Sequence, residues 1–288
     1  MNNHYINERG YLELLQNVLE NGEKIKTRNG NTLSIFGSMV TFDNINNFFP
    51  LLTTKKVFFR GVVEELLWFL RGSTNAKELQ EKGIHIWDSN SSREYLDSVG
   101  LVNNELGDLG PIYGRQWRSF NGIDQIKYII DELKKDNNSR RAVLSAWNPS
   151  QLNEMALPPC HMVYNFYKNS KGLSCLMTMR SSDLFLGLPF NIASTALLTM
   201  LIAKILNIKA VNIAITSCDS HIYEEHIDAV KIQLERSPNI FPNIIIKSDL
   251  DHENLSTEEN IQWLENLKFE DFILCDYNCH DGIKAIMK

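Results

Sequence analysis

A thiol stands between two rigid residues and an imidazole in MALPPCH, residues 155–161. Pro158 and Pro159 fix the backbone ahead of Cys160. A nucleophile gains from such a frame, because aim matters as much as reactivity. The thiolate is the attacking form, and nearby cations favour it. The same residue also fits a plainer description, a small side chain buried for packing. Further along, RSSDLFLGLPFNIA (180–193) sets Arg180 beside Ser181, a charge and a hydroxyl suited to one phosphate. Gly187 and Pro189 shape a bend before Asn191. Its amide offers a donor and an acceptor to a planar ring or, alternatively, caps the helix that follows. Arg140-Arg141 is a paired cation ahead of a strand, suited to a phosphate or simply solvated. His221 and Tyr223 stand two apart. In an extended chain they point the same way, toward a sugar hydroxyl or along a sheet edge.

The elements that must hold these groups follow from apolar spacing. Tyr11 to Leu19 reads as an amphipathic helix ending near Asn21-Gly22. Arg28 to Thr32 is a polar loop, and Leu33 to Phe42 alternates as a strand. Val62 to Leu70 is apolar on nearly every side, so it belongs in a core. Glu65 then needs a partner or a role there. Asp124 to Lys134 places Ile126, Ile129, Ile130 and Leu133 on one helical face. Ala142 to Trp147, Leu173 to Met179, Val211 to Thr216 and Ile244 to Ile246 read as strands. Asn191 to Leu206 and His221 to Glu235 read as helices, the latter stopped by Pro238. Strands and helices mix without regular alternation, which predicts one α+β domain, residues 1–288, around a large mixed sheet.

Bulk properties narrow the classes. A net charge of −6 argues against broad nucleic-acid coating, while leaving room for a local phosphate pocket. Five scattered cysteines do not form a disulfide framework and suit a reducing compartment, hence the cytoplasm. The start MNNHYINERGYLELL lacks a signal-peptide pattern. The most apolar run, Ile192 to Ile208, is interrupted by Lys204 and Asn207 and reads as a buried helix rather than a membrane span. Cys275, Cys279 and His280 lack a fourth ligand at zinc spacing, so no metal is expected.

Six segments occur together: EELLWFLRGSTNAKEL (64–79), IHIWD (84–88), GDLGPIYGRQWR (107–118), MALPPCH, RSSDLFLGLPFNIA and HIY (221–223). In this order they resemble the thymidylate synthase family, from about Tyr11 to Lys284. The resemblance implies a single α+β domain that dimerises through its sheet, back to back. It implies reductive methylation of dUMP to dTMP, with 5,10-methylenetetrahydrofolate as co-substrate. Cys160 would attack C6 of the uracil ring to activate C5. Arg28, Arg180 and Ser181 would hold the phosphate, with Arg140 and Arg141 reaching into the neighbouring subunit's site. Asn191 would read the N3 and O4 edge, and His221 and Tyr223 the ribose 3′-hydroxyl. The Asp183 backbone would meet the ring and its carboxylate the pterin. Glu65, Tyr113 and His161 would order water and move protons. Ile86, Trp87, Asn90, Leu186, Gly187 and Phe190 would line the folate pocket.

Four features depart from the family pattern. Met179 replaces a usual Gln, which would remove polar bonds near the nucleophile. Cys218 and Glu225 replace a usual Gly and Asn near the expected ribose contact. The loop RNGNT is one residue tighter around Arg28. The tail DYNCHDGIKAIMK ends in Lys288 rather than a small apolar residue. A poorly closing tail would admit water and yield 5-hydroxymethyl-dUMP, so a folate-dependent hydroxymethylase is the alternative activity. A catalytically silent nucleotide-binding homologue is the alternative outside enzymes.

Overall fold

The computed structural model describes residues 4–136 and 138–286; Lys288 and its expected effect on the tail lie outside them. The strands are β1 (His4–Ile6), β2 (Glu23–Thr27), β3 (Gly30–Asp43), β4 (Val143–Ser145), β5 (His161–Asn169), β6 (Gly172–Asp183), β7 (Ala210–Tyr223), β8 (Asn243–Ile246) and β9 (Phe272–Cys275). The helices are α1 (Asn7–Asn21), α2 (Phe59–Leu70), α3 (Lys77–Gln80), α4 (Asp88–Ser91), α5 (Arg93–Ser98), α6 (Tyr113–Ser119), α7 (Gln125–Lys135), α8 (Gly187–Ile205), α9 (Ile227–Leu234) and α10 (Thr257–Asn266).

Seven strands form one sheet in the order β1-β3-β7-β6-β5-β4, with β2 also paired to β3. The β1–β3 and β6–β7 pairs are parallel and the others antiparallel, so the sheet is mixed and the fold is α+β. Parallel neighbours need a long crossover. Here α8 supplies it between β6 and β7, which places the helix N-terminus beside the carboxyl ends of both strands. That crevice is the usual place for a ligand on parallel strands.

Alternation gives the sheet two unlike faces. Val40, Cys175, Met177, Ile213 and Ile215 are buried in the core, with α1 against β3 and α8 against β6 and β7. On α8 Ile192, Leu197, Leu198, Leu201 and Ile202 are all buried, and each such side chain stabilises by roughly 1.5–3 kcal/mol. This is the one helix among the described residues long and apolar enough to cross a membrane, and 78% of its apolar window is packed inside the fold. The opposite sheet face leaves Phe36 82% exposed. It carries a shallow depression of about 520 Å³ lined by Met39, Met179 and Cys218 among others.

Several boundaries differ from the sequence reading. His221 to Tyr223 is strand, not the start of a helix; a 3₁₀ turn, Glu224–His226, intervenes before α9. The reason is long-range: β7 is laddered on both sides, to β3 and β6, so its backbone groups are already paired. Helix α8 begins at Gly187, ahead of the expected Asn191. Pro189 is tolerated because it falls in the first turn, where an N–H has no helical acceptor. Asn191 therefore lies within the helix and does not cap it. The expected loop at Arg28 shrinks to a tight turn between β2 and β3, with Gly30 at φ +129°. Strand β2 carries no apolar alternation, since all five of its residues are exposed.

Candidate active site

The Cys160 turn is held from three directions. Gly110, at φ +71°, brings the loop before α6 against residues 154–155; a Cβ there would lie 1.9 Å from the Glu154 carbonyl oxygen. That approach, with Ala156 N–H donating to the Leu109 carbonyl at 2.9 Å, sets Tyr113 beside Cys160. The Cys160 N–H donates to the Tyr113 hydroxyl oxygen at 2.7 Å. On the other side, Arg180 N–H donates to the Cys160 carbonyl at 2.9 Å. The Arg180 guanidinium donates to the carbonyls of Pro159 (2.9 Å) and Pro158 (2.7 Å), and its Nη2 is 3.6 Å from Cys160 Sγ. The prolines thus lack N–H groups but supply acceptors that fix the cation. Just past the thiol, the β5–β6 register shifts between His161 and Val163, a bulge that re-aims the strand end.

Electrostatics around the thiol oppose one another. Burial pushes the Cys160 pKa up, Arg180 and the Tyr113 contact pull it down, and Asp219 and Asp183 add to the rise; the net is upward. The resting thiol is therefore protonated. Burial drops His161 to about 3, so its imidazole is neutral, stacked on Tyr113 at 4.0 Å between ring centres and 2.9 Å from the Tyr164 hydroxyl through Nδ1. Burial also holds Tyr113 well above the usual phenol range. Glu65 is half-buried, and desolvation lifts it to about 7 against the opposing hydrogen bond from Trp87 Nε1, which donates to Oε1 at 2.8 Å. A carboxyl poised near neutrality can both take and return a proton.

These groups share a cavity of about 340 Å³. Its walls are Glu65, Ile86, Trp87, Asn90, Tyr113, Leu157, Cys160, His161, Asp183, Leu186, Gly187, Phe190, Asn191 and Ala285. All but Leu157 and Ala285 were singled out from sequence. Asp183 turns the chain into α8, its Oδ1 accepting from Phe185 N–H (2.9 Å) and Leu186 N–H (3.2 Å). Met179 is buried and, like Cys218, faces the sheet depression rather than this cavity.

Next to the cavity, strand register gathers a polar cluster. Asp219 Oδ1 accepts from Ser34 at 2.5 Å, and Oδ2 accepts from Ser181 at 2.6 Å and from His221 Nδ1 at 2.9 Å. Burial would raise this carboxyl, but those bonds together hold it at about 2. An ionised partner on Nδ1 fixes the His221 proton there and leaves Nε2 as an acceptor for a hydroxyl. The Tyr223 ring meets the His221 ring edge-on at 5.1 Å, so the two do project together from β7. Arg28 sits exposed at the β2–β3 turn, with Nη2 3.5 Å from the Tyr95 hydroxyl. Arg140 and Arg141 are exposed ahead of β4 and do not line the cavity.

Comparison with known proteins accounts for this assembly. A family model described as thymidylate synthase matches residues 9–288. The chain belongs to the thymidylate synthase family. The bifunctional dihydrofolate reductase-thymidylate synthase of Leishmania amazonensis is 48% identical over 97% of this chain, which covers 55% of that protein. The thymidylate synthases of Homo sapiens and Saccharomyces cerevisiae are 45% and 44% identical over 97% of this chain, and 90% and 96% of their lengths are covered. The chain thus spans about half the length of the bifunctional relatives it matches.

Within this thymidylate synthase fold, sequence reasoning passed over two groups. Asp219 and Ser34 organise His221, and the alternation Asp219–His221 on a strand was the available signal. Lys55 is buried, its amine donating to the Phe185 carbonyl and lying 3.5 Å over the Phe185 ring. Burial lowers it to about 7, with Asp183 opposing. A lysine inside PLLTTKK gave no periodic signal of its own.

Proposed function

We propose that this chain is a thymidylate synthase, converting dUMP to dTMP by reductive methylation with 5,10-methylenetetrahydrofolate. One observation carries the reading. The cavity puts a framed thiol beside the Asn191 amide, which makes no hydrogen bond among the described residues and is free to read a ring edge. Glu65, Tyr113, His161 and Asp183 around it are already engaged.

Cys160 Sγ would add to C6 of uracil, its proton leaving to solvent or to the Glu65 network. The electron pair of the C5–C6 double bond moves toward O4, making C5 nucleophilic. Asn191 would hold N3–H and O4, which selects uracil. Arg180 and Ser181 would meet the phosphate, and His221 Nε2 and Tyr223 the sugar. Glu65, with Tyr113 and neutral His161, would receive the C5 proton through ordered water. The apolar walls Ile86, Trp87, Leu186 and Phe190, with Asn90 and Asp183 at the edge, fit a flat pterin-like ring, and the cavity volume lies within the range of small-molecule sites. The folate would supply both the carbon unit and the hydride, and as hydride adds to that carbon the C5–C6 double bond re-forms and the C6–S bond breaks, returning its electron pair to Cys160.

The proposal extends to a homodimer joined through the open sheet face, with Arg140 and Arg141 completing the neighbouring phosphate site. Exposed Phe36 on that face supports it, as does the absence of any ion pair by either arginine among the described residues. The proposal treats residues 1–288 as one domain. Five unpaired cysteines support a reducing cytoplasmic setting. Ala285 of the tail lines the cavity, which supports closure and methylation over hydroxymethylation. The test is product mass: dTMP and dihydrofolate should appear in equal amounts. 5-Hydroxymethyl-dUMP without dihydrofolate would contradict the reading.

A further inference from the structure

The C-terminal segment is held unevenly. The Tyr277 hydroxyl donates to the Leu52 carbonyl at 2.7 Å and accepts from Val57 N–H at 2.9 Å. His280 N–H donates to the Thr53 carbonyl at 2.8 Å, and Arg236 donates to the Asp281 carbonyl at 2.7 Å. From Gly282 to Ala285 no hydrogen bond follows among the described residues, yet Ala285 reaches the cavity wall. The next hold is one contact, His226 Nε2 to the Ile286 carbonyl oxygen at 2.8 Å.

His226 is fully buried between the rings of Phe185 and Tyr223, at 5.6 and 5.5 Å between centres. Its Nδ1 is buried without a partner among the described residues. A hydrocarbon ring would fill that space without leaving a nitrogen unsatisfied. What an imidazole adds there is the Nε2–H donor aimed at the tail. Its packing partners are also informative: Tyr223 is an expected ribose contact, and Phe185 follows Asp183 in the turn into α8.

We propose that His226 is a positioning residue that latches the C-terminal tail over the folate end of the cavity. The tail is tied firmly through Asp281, crosses a stretch without hydrogen bonds where Ile283 and Ala285 pack on the core, and has this donor as its last polar hold among the described residues. The latch rests on the proposed activity for its purpose, but its physical content is testable without turnover.

The test uses the full chain as wild type, His226→Phe, which keeps a ring and removes the donor, and His226→Gln, which keeps an N–H. Trypsin cleavage after exposed Lys284 in the unliganded proteins is read alongside KM for each substrate. With His226→Phe, cleavage there should quicken about five- to tenfold, the factor one hydrogen bond carries, while the rest of the fold stays resistant. The folate KM should rise by a similar factor and the dUMP KM by less than about twofold. His226→Gln should restore at least half of each effect. Unchanged tail cleavage in His226→Phe would overturn the latch. So would general loosening with both KM values rising in parallel, or a His226→Gln variant no better than His226→Phe. If the chain proved inactive on dUMP, the cleavage arm would still decide.

Discussion

The polar cluster around Asp219 and the apolar slot around Trp87 adjoin one another and are built in opposite ways. Around Asp219, three strands deliver Ser34, Ser181 and His221 to one carboxylate, and each bond is short. On the proposed reading, that surface receives a sugar and a phosphate with these three bonds already in place. Around Trp87, the wall is hydrocarbon from Ile86, Leu186 and Phe190, closed by a tail whose last tie among the described residues is one hydrogen bond. The contrast suggests an order of events: a rigid surface first captures the nucleotide, and a closing surface then excludes water from the reacting carbons. Glu65 sits at the seam, bonded to Trp87 and sharing the cavity with Cys160.

The largest expected effect is at the seam. Glu65→Gln should lower kcat by about 10³-fold with small changes in either KM, since the proton relay is lost and the shape is kept. The variant also has a stability signature. Burial raises Glu65 from 4.5 to about 7, so the folded state holds a proton that the unfolded state has released within that window. Wild-type stability therefore falls as pH rises from about 4.5 to 7, and the variant should be more stable above it by about 3 kcal/mol, with no gain below it. Denaturant melts across that range check the sign. Next, Asp219→Ala should cut kcat/KM for dUMP by about 10²-fold, mainly through KM, because two serines and His221 lose a charged acceptor. An equal effect on both substrates would break the division into rigid and closing halves. Trp87→Phe should act on the folate side, raising its KM about fivefold, the worth of one hydrogen bond and some packing. It should also move the acid limb of the pH–kcat profile upward, because the Trp87 N–H favours ionised Glu65. A downward move would place the wrong charge state in the mechanism.

The two halves also differed in how far sequence revealed them. The Cys160 turn and the buried helices were legible because prolines, glycines and apolar spacing are local signals, whereas the walls at Ile86, Trp87, Leu186 and Phe190 were expected only through the resemblance of their segments to the family. The cluster at Asp219 was not, since Ser34 lies 185 residues away and the pair exists only through strand register. The same register turned His221 to Tyr223 from an apparent helix into strand, overriding a local pattern by pairing on both sides. Strand β2 was invisible for the converse reason: an exposed edge strand needs no apolar face. Arg180 was expected at a phosphate, and its backbone bonds to Pro158 and Pro159 give it an additional place in framing the thiol.

All of this turns on which atom joins the pyrimidine. In 5-fluoro-dUMP, fluorine replaces the proton that must leave C5, and it cannot depart as a cation. The reaction should therefore stall with the sulfur, the nucleotide and the folate carbon joined. The decisive measurement is the intact mass and peptide map of the chain after incubation with 5-fluoro-dUMP and 5,10-methylenetetrahydrofolate. A ternary adduct on the peptide bearing Cys160, absent from a folded Cys160→Ser variant, is the predicted result. No adduct at saturating ligand, or one that persists in the Cys160→Ser chain, would contradict the account.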